Sequence, residues 1–213
     1  MHKLDLTKKY KAYYTAKTKP ELVTIEAAHF ISITGKGDPS GPEFTSHIQS
    51  LYPIAYAIKF VHKANNNDFT VSKLEGLWWF DENKYRGKNI ATATEVPRNE
   101  WEYRLLIRMP EFVTANDLEI AKETVSAKKD VPLAACVEYF TLHEGKCIQM
   151  MHVGPFANEP ESLAQIAAFS EENNLERNGL HHEIYLSDFR KTAPEKLKTI
   201  LREPVKTIAD LGI

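Results

Sequence analysis

The sequence predicts an α+β protein made of two similar halves. Segments that alternate polar with β-branched residues predict strands, and segments with apolar residues at helical spacing predict helices. The stretch FISITGKGDPSGPEFTSHIQSLY, from Phe30, resembles CIQMMHVGPFANEPESLAQIAAF, from Cys147, in its order of strand, Gly/Pro loop and helix. KLEGLWWFD and HHEIYLSD then supply a strand ending in Asp after each helix. This weak repeat predicts two pseudo-twofold-related β-α-β-β halves, at about 25–110 and 111–205 of a single domain spanning 1–213, with a central ligand cleft.

The first half contains segments with strand alternation and segments with helical spacing of apolar residues. A lysine-rich short helix lies within Asp5–Pro20. Pro53 lies inside the next predicted helix and predicts a kink or a late start. The remaining predicted elements are a strand at Ala28–Gly35, a loop at Gly35–Pro42, a helix at Glu43–Lys63, a strand within Phe69–Phe80, a polar loop at Asp81–Asn99 and a strand at Trp101–Met109.

The second half begins with a helix start signal. Thr114 followed by Asp117 resembles a capping box, and the helix is expected to run to about Lys128. Glu144-Gly145 indicates a tight turn between two strands. The other predicted elements are strands at Leu133–His143 and Lys146–Val153, a helix at Glu161–Asn173, a strand at His181–Leu186 and a basic amphipathic helix at Pro194–Arg202, whose Lys196, Lys198 and Arg202 form a solvated face.

Composition excludes several classes of protein. Of 213 residues, 43% are apolar and 26% charged, and 27 basic residues face 29 acidic ones. A chain so close to neutrality has no global bias toward nucleic acid or an anionic membrane. Cys136 and Cys147 are expected to be reduced thiols, because secreted disulfide scaffolds carry more cysteines. With no signal peptide or membrane span in the sequence, we expect a cytoplasmic protein.

The glycine-rich loop GKGDPSG does not match a nucleotide-binding signature. A P-loop needs Gly-Lys followed by Ser or Thr, whereas Gly37 and Asp38 follow here. The dinucleotide fingerprint also fails, since its third glycine is displaced to Gly41. We therefore expect a turn, and no phosphate bound by Lys36, Asp38 or Ser40.

Four histidines fall in neighbouring predicted strands without metal-ligand spacing: His143, His152, His181 and His182. Neither HExxH nor CxxC occurs, so we expect no metal. Because neighbouring strand residues point to opposite faces, His181 and Glu183 share one face and His182 takes the other.

Glu183 is the most informative polar residue, because it interrupts an apolar strand. A carboxylate is costly to bury there unless it is paired or functional. A salt bridge and an exposed edge position are the structural alternatives. Aromatic residues on neighbouring predicted elements favour a ligand site, because their faces suit flat or cationic molecules. They are Trp78, Trp79, Tyr52, Tyr56, Trp101, Tyr103 and Tyr185.

Blocks along nearly the whole chain resemble the GyrI-like small-molecule-binding family. They are LEGLWW from Leu74, FVTANDLEIAKETVSAKK from Phe112, EGKCIQMMHVGPFANEP from Glu144 and HHEIYLSDFRKTAPEKLKTILREPV from His181. The sequence looks most similar to the free-standing branch, in which some members hydrolyse the cyclopropane of DNA-alkylating natural products. The resemblance implies a duplicated SHS2-type fold with the ligand between its halves and a key buried glutamate, a position that only Glu183 matches.

The resemblance also implies roles for these residues. Glu183 would activate a water as general base, and Tyr103 or Tyr185 would donate a hydrogen bond to the ligand carbonyl. Ligand-binding roles fall to the aromatic residues Trp78, Trp79, Tyr56, Tyr52 and Trp101. No cofactor is expected, because ring strain drives the reaction, and the expected partner is a hydrophobic aromatic small molecule. The alternative is a non-catalytic protein that binds drugs or modulates a protein partner such as gyrase.

Overall fold

A computed structural model of the chain describes residues 3–88, 90–128, 131 and 133–208. It confirms the predicted α+β class. In this part of the chain the helices are α1 (Leu6–Lys9), α2 (Lys11–Tyr14), α3 (Pro42–Ala64), α4 (Ala115–Lys128) and α5 (Glu159–Glu172). The strands are β1 (Glu21–Ile25), β2 (Ala28–Lys36), β3 (Leu74–Trp79), β4 (Glu102–Arg108), β5 (Glu138–Leu142), β6 (Gly145–Val153), β7 (Leu175–Arg177), β8 (His181–Tyr185) and β9 (Lys198–Thr207).

The strands form one antiparallel sheet in the order β1-β6-β9-β8-β3-β4-β2-β5, and β7 pairs with β9. In the first predicted half β2 pairs with β4, the second strand after α3, and in the second half β6 pairs with β9, the third strand after α5. The two halves meet where β3 pairs with β8 and where β2 pairs with β5. This order is compatible with the predicted internal repeat, which stays a prediction.

The two long helices that follow β2 and β6 cover the same face of the sheet. Helix α3 buries Leu51 and Ile54 in a core with Leu105 and Ile107 of β4. Helix α5 packs its own apolar residues against β6 and β9. The opposite face is covered by α1 and α2, and Leu106 points to that side. Strand β4 is therefore buried on both faces, which explains its continuous apolar run.

Two helix features were anticipated from sequence signals. The late start expected from Pro53 does not occur, because α3 begins at Pro42 and continues through Pro53. At the start of α4, the backbone N–H and hydroxyl of Thr114 both donate to the Asp117 carboxylate at 2.7 Å. The Asp117 N–H donates back to the Thr114 hydroxyl, which completes the expected capping box.

Two sequence expectations are wrong. The segment Pro194–Arg202 is a 3₁₀ turn at Pro194–Lys196 followed by β9, and not a solvated helix, because Arg202 is fully buried among partners distant in sequence. Glu144-Gly145 does not close a hairpin, since β5 pairs with β2 and β6 pairs with β1 and β9. Strand β1 was not predicted from the sequence.

Candidate functional site

The candidate site lies where β3 and β8 pair at the middle of the sheet. Gly76 stands opposite Glu183, and Trp78 stands opposite His181. All four positions belong to the face that α3 and α5 cover. A Cβ added at Gly76 would meet Nε1 of Trp78 at 2.8 Å and the Tyr185 hydroxyl at 3.1 Å. Glycine at this position therefore leaves room for a Trp78–Tyr185 contact beside Glu183.

A small cavity of about 70 Å³ opens beside Glu183. Trp78, Trp101 and Phe156 give it aromatic walls, and Glu159 and Glu183 give it two carboxyl groups. Its other lining residues are Trp79, Phe80, Ala93, Pro160, Leu163 and His181. The cavity thus combines acidic groups with indole faces.

Glu183 lies at one end of a row of three ionisable side chains, which continues through His181 to Glu203. Nδ1 of His181 lies 2.5 Å from Oε1 of Glu203, and its Nε2 lies 3.3 Å from Oε1 of Glu183. Burial lowers the pKa of His181, but the two carboxylates outweigh that effect and raise the pKa to about 10. The imidazole is therefore charged at neutral pH.

Glu159 is a cavity-lining residue that the sequence did not indicate. It is the first residue of α5, and only 9% of its surface is exposed. Among the described residues its Oε1 has no hydrogen-bond partner. Burial and the charge of Glu183 raise the pKa of Glu159 well above its usual range. We attribute the omission to its place at a helix start, where a glutamate ordinarily caps or complements the helix dipole.

The predicted tryptophans take up different positions. Trp78 is buried on the Glu183 face and stacks on Phe44 at 5.7 Å between ring centroids. Trp79 borders the cavity, but its ring packs against the core of the opposite face. Trp101 meets Trp78 edge-on at 6.1 Å, and its indole N–H donates to the Val96 carbonyl at 3.2 Å. Trp78 and Trp101 thus supply the ring surfaces of the cavity.

The two tyrosines expected to assist Glu183 differ in access. The indole N–H of Trp78 donates to the Tyr185 hydroxyl at 3.0 Å, and burial followed by the charge of Glu183 raises the pKa of Tyr185 well above its usual range. Tyr103 lies behind Trp78, is fully buried and contacts Nδ1 of His47 at 3.0 Å. It lines neither the small cavity nor the larger groove described next.

A groove of about 730 Å³ lies on the other side of Tyr185. Tyr52 and Tyr56 of α3 line it, together with Phe189 and Arg190 after β8. Phe156 contacts both Tyr185 and Phe189 in edge-to-face geometry, at 5.9 and 6.2 Å. Aromatic side chains therefore separate the groove from the Glu183 cavity, and the predicted site residues are divided between the two.

The opposite face of β8 carries a second buried charged cluster. His182 contacts Glu144 at 2.9 Å through Nδ1 and Glu75 at 3.0 Å through Nε2. Arg202 donates to Glu144, Gln149 and the backbone carbonyl of Tyr13. The hydroxyls of Tyr13 and Tyr14 also reach Glu75, at 2.5 and 3.4 Å. This cluster is sealed under α2 and lines neither cavity.

The remaining predicted polar groups have surface partners. Lys36 pairs with Glu100 at 2.9 Å, and Asp38 accepts from the Ser40 backbone N–H at 2.8 Å and lies 3.6 Å from Arg98.

No group of three or more His, Cys, Asp or Glu residues within the described ranges is arranged to hold a metal ion. No helix in the part of the chain that the structure describes is long and apolar enough to span a membrane.

The fold and cavity define an α+β small-molecule-binding protein. Residues 18–206 match the family described as the GyrI-like small molecule binding domain, and the chain belongs to this family. A search of curated proteins gives no match.

Solved structures give the same fold. A conserved protein of uncharacterised function from Listeria innocua is 41% identical, with a TM-score of 0.86 over 96% of this chain and 100% of its own. A Listeria innocua protein described as a hydrolase is 40% identical, with a TM-score of 0.82 over the same shares. The C-terminal domain of EcmrR is only 13% identical, with a TM-score of 0.55 over 89% of this chain and 98% of that domain, and supports the fold alone.

Proposed function

We propose that this protein hydrolyses the activated cyclopropane of planar aromatic, DNA-alkylating molecules without a cofactor. The observation that carries the proposal is the carboxylate of Glu183, held next to a charged His181 in a cavity walled by Trp78 and Trp101. The 40% identity to a Listeria innocua protein described as a hydrolase supports a hydrolytic role.

Hydrolysis of such a ring needs a base at the strained carbon. Glu183 accepts a proton from water, and the water oxygen bonds to the ring carbon. The ring C–C bond breaks, and its electron pair moves into the conjugated dienone to form a phenolate. His181 stays charged between Glu183 and Glu203 and holds the carboxyl group of Glu183 beside the cavity.

The sizes of the two cavities indicate how a ligand would lie. The Glu183 cavity of about 70 Å³ has room for one or two waters, each of roughly 30 Å³. Drug-sized ligands occupy roughly 300–1,000 Å³, the range of the neighbouring groove. We infer that the reactive end of the ligand enters beside Glu183 and its planar body lies over Tyr185, Tyr52 and Tyr56. Rotation of Phe156 and Phe189, which are 39% and 37% exposed, would join the two spaces.

A non-catalytic binder of aromatic cations is the second candidate. The carboxyl group of Glu183, next to the indole faces of Trp78 and Trp101, favours cations by polar and cation–π contact. In this case Glu183→Gln weakens binding of a planar cation, and no product forms from any cyclopropanoid.

Turnover in H₂¹⁸O tests the hydrolase proposal. The purified protein is incubated with a cyclopropanoid, and mass spectrometry follows the water adduct and its label. We expect a labelled adduct and a loss of about 100-fold or more in single-turnover rate for Glu183→Gln, the usual scale for a general base. Glu176→Gln is the matched control, because Glu176 pairs with Lys206 at the surface. An unlabelled adduct, or equal rates for the two variants, would contradict the role of Glu183.

A further inference from the structure

The second carboxyl group of the small cavity has an unusual environment. Glu159 and Glu161 both lie in the first turn of α5, yet Glu161 is exposed and Glu159 is buried against the cavity. A carboxyl group at a helix start gains from the dipole while it remains solvated. The buried and unpartnered Oε1 of Glu159 is therefore not explained by capping.

Glu159 and Glu183 lie in different surroundings on the cavity wall. An oxygen of Glu183 lies 3.3 Å from the charged imidazole of His181. The buried Oε1 of Glu159 has no hydrogen-bond partner among the described residues, and burial together with repulsion from Glu183 outweighs the opposing charge of His181 and raises the pKa of Glu159. Two neighbouring carboxyl groups in such different surroundings are suited to act as an acid–base pair.

We propose that Glu159 is the general acid of the reaction, a role that rests on the proposed hydrolase function. When the ring C–C bond breaks, the carboxylic acid of Glu159 transfers its proton to the oxygen that becomes the phenol. Glu183 meanwhile takes one proton from the attacking water, so the product has gained one water. Return of a proton from Glu183 to Glu159, directly or through solvent, restores the starting state.

Tyr185 is less suited than Glu159 to donate this proton. Its oxygen already accepts a hydrogen bond from Trp78, and its own hydroxyl is adjacent to the Glu183 carboxyl group. A proton from Tyr185 therefore serves Glu183 rather than the ligand. Glu159 has a free oxygen on the cavity wall, and a carboxylic acid is a far stronger proton donor than a phenol.

Kinetics of Glu159→Gln test the assignment, with Glu161→Gln as the matched control on the same turn. The amide keeps the shape and can donate a hydrogen bond, but it cannot transfer a proton. We expect kcat to fall about 100-fold or more with KM little changed, and the high-pH decline of kcat/KM to disappear. The loss should shrink for substrates that yield more acidic phenols, because those need less protonation in the transition state.

Each result decides a specific point. Glu159→Gln rates within twofold of Glu161→Gln, with active wild-type protein, would overturn the role of Glu159 and leave the hydrolase proposal standing. An inactive wild-type protein would overturn the hydrolase proposal and this role together. If the Gln variant does not fold, Glu159→Met, which is apolar and of similar length, replaces it. Full activity in that variant would equally refute a proton donor at this position.

Discussion

The two faces of β8 carry two buried charged clusters of different character. On one face, every side-chain nitrogen and oxygen of His182, Glu75, Glu144 and Arg202 has a hydrogen-bond partner. On the other face, atoms of Glu159, His181 and Glu203 are buried without one. Buried residues of the paired strands β8 and β9 contribute to both clusters, so burial alone does not distinguish them.

The difference separates structural charge from functional charge. A fully satisfied polar network fixes one arrangement of the core, since removal of any member leaves another buried and unpaired. An unsatisfied buried group calls for an explanation, and a ligand or reacting group that completes it is a common one. The comparison therefore supports a scaffold role for the His182 cluster and agrees with the proposed chemical role of the Glu183 cavity.

Glu144→Gln should have the largest effect on stability. The change leaves Arg202 and His182 buried with an incomplete partner, so the free energy of unfolding should fall by about 3–5 kcal/mol. Denaturant titration measures this. The control is Glu138→Gln, which removes a surface partner of Arg104 and should cost less than about 1 kcal/mol. Equal losses in both variants would contradict the structural role of the cluster.

Gly76→Ala should be the next largest change, and it falls on the cavity face. The new methyl group overlaps Trp78 and the Tyr185 hydroxyl, so repacking should cost about 1–3 kcal/mol. Ligand affinity should fall as well, because the Trp78–Tyr185 hydrogen bond sits beside Glu183. Thermal unfolding and ligand titration measure the two effects. An unchanged affinity would show that the Trp78–Tyr185 hydrogen bond does not contribute to ligand binding.

The pH dependence of stability should distinguish Glu144 from His181 by direction. The partners of Glu144 lower its pKa from 4.5 to about 2, so the stability it contributes is present above pH 4.5 and is lost as the pH falls toward 2. The pKa of His181 is raised from 6.5 to about 10, so its contribution is present below pH 6.5 and is lost as the pH rises toward 10.

Denaturant titrations across this pH range provide the measurement. In Glu144→Gln the acid decline should flatten. The alkaline decline should become smaller but persist, because Glu144 also raises the pKa of His182 whereas His181 keeps its own partners. Complete loss of the alkaline decline in this variant would show that His181 does not contribute to it.

Glu159→Gln should have the smallest effect on stability, within about 1 kcal/mol at neutral pH, because it exchanges one neutral buried group for another. A raised folded-state pKa means that stability is lost as the pH rises and Glu159 ionises. The variant should therefore become more stable than wild type as the pH increases. A variant that is less stable at high pH would indicate an ionised, paired Glu159.

Local sequence patterns predicted much of the fold but less of the site. The capping pair Thr114–Asp117 and the alternation of β2 depend on neighbouring residues, and both were readable. Arg202 was predicted on a solvated helix because its partners Glu144 and Gln149 lie more than fifty residues away. Polar residues inside a strand buried on both faces do not produce a simple alternation.

The Glu183 face was only partly predictable for the same reason. The placement of His181 and Glu183 on one face follows from alternation along a strand. The burial of Glu159 depends on how α5 packs against β6 and β9, which no local pattern encodes. The division of Tyr52, Tyr56 and Tyr185 from the Glu183 cavity likewise arises from packing at Trp78 and Phe156.

Both clusters are built from consecutive residues. His181 and His182 on β8 point to opposite faces, as do Glu203 and Arg202 on β9. One inserted or deleted residue in either strand would rotate every following side chain to the other face and exchange the two sets of partners. Related genes should therefore tolerate substitutions in these strands far more readily than length changes, and insertions should accumulate in the loops that flank them.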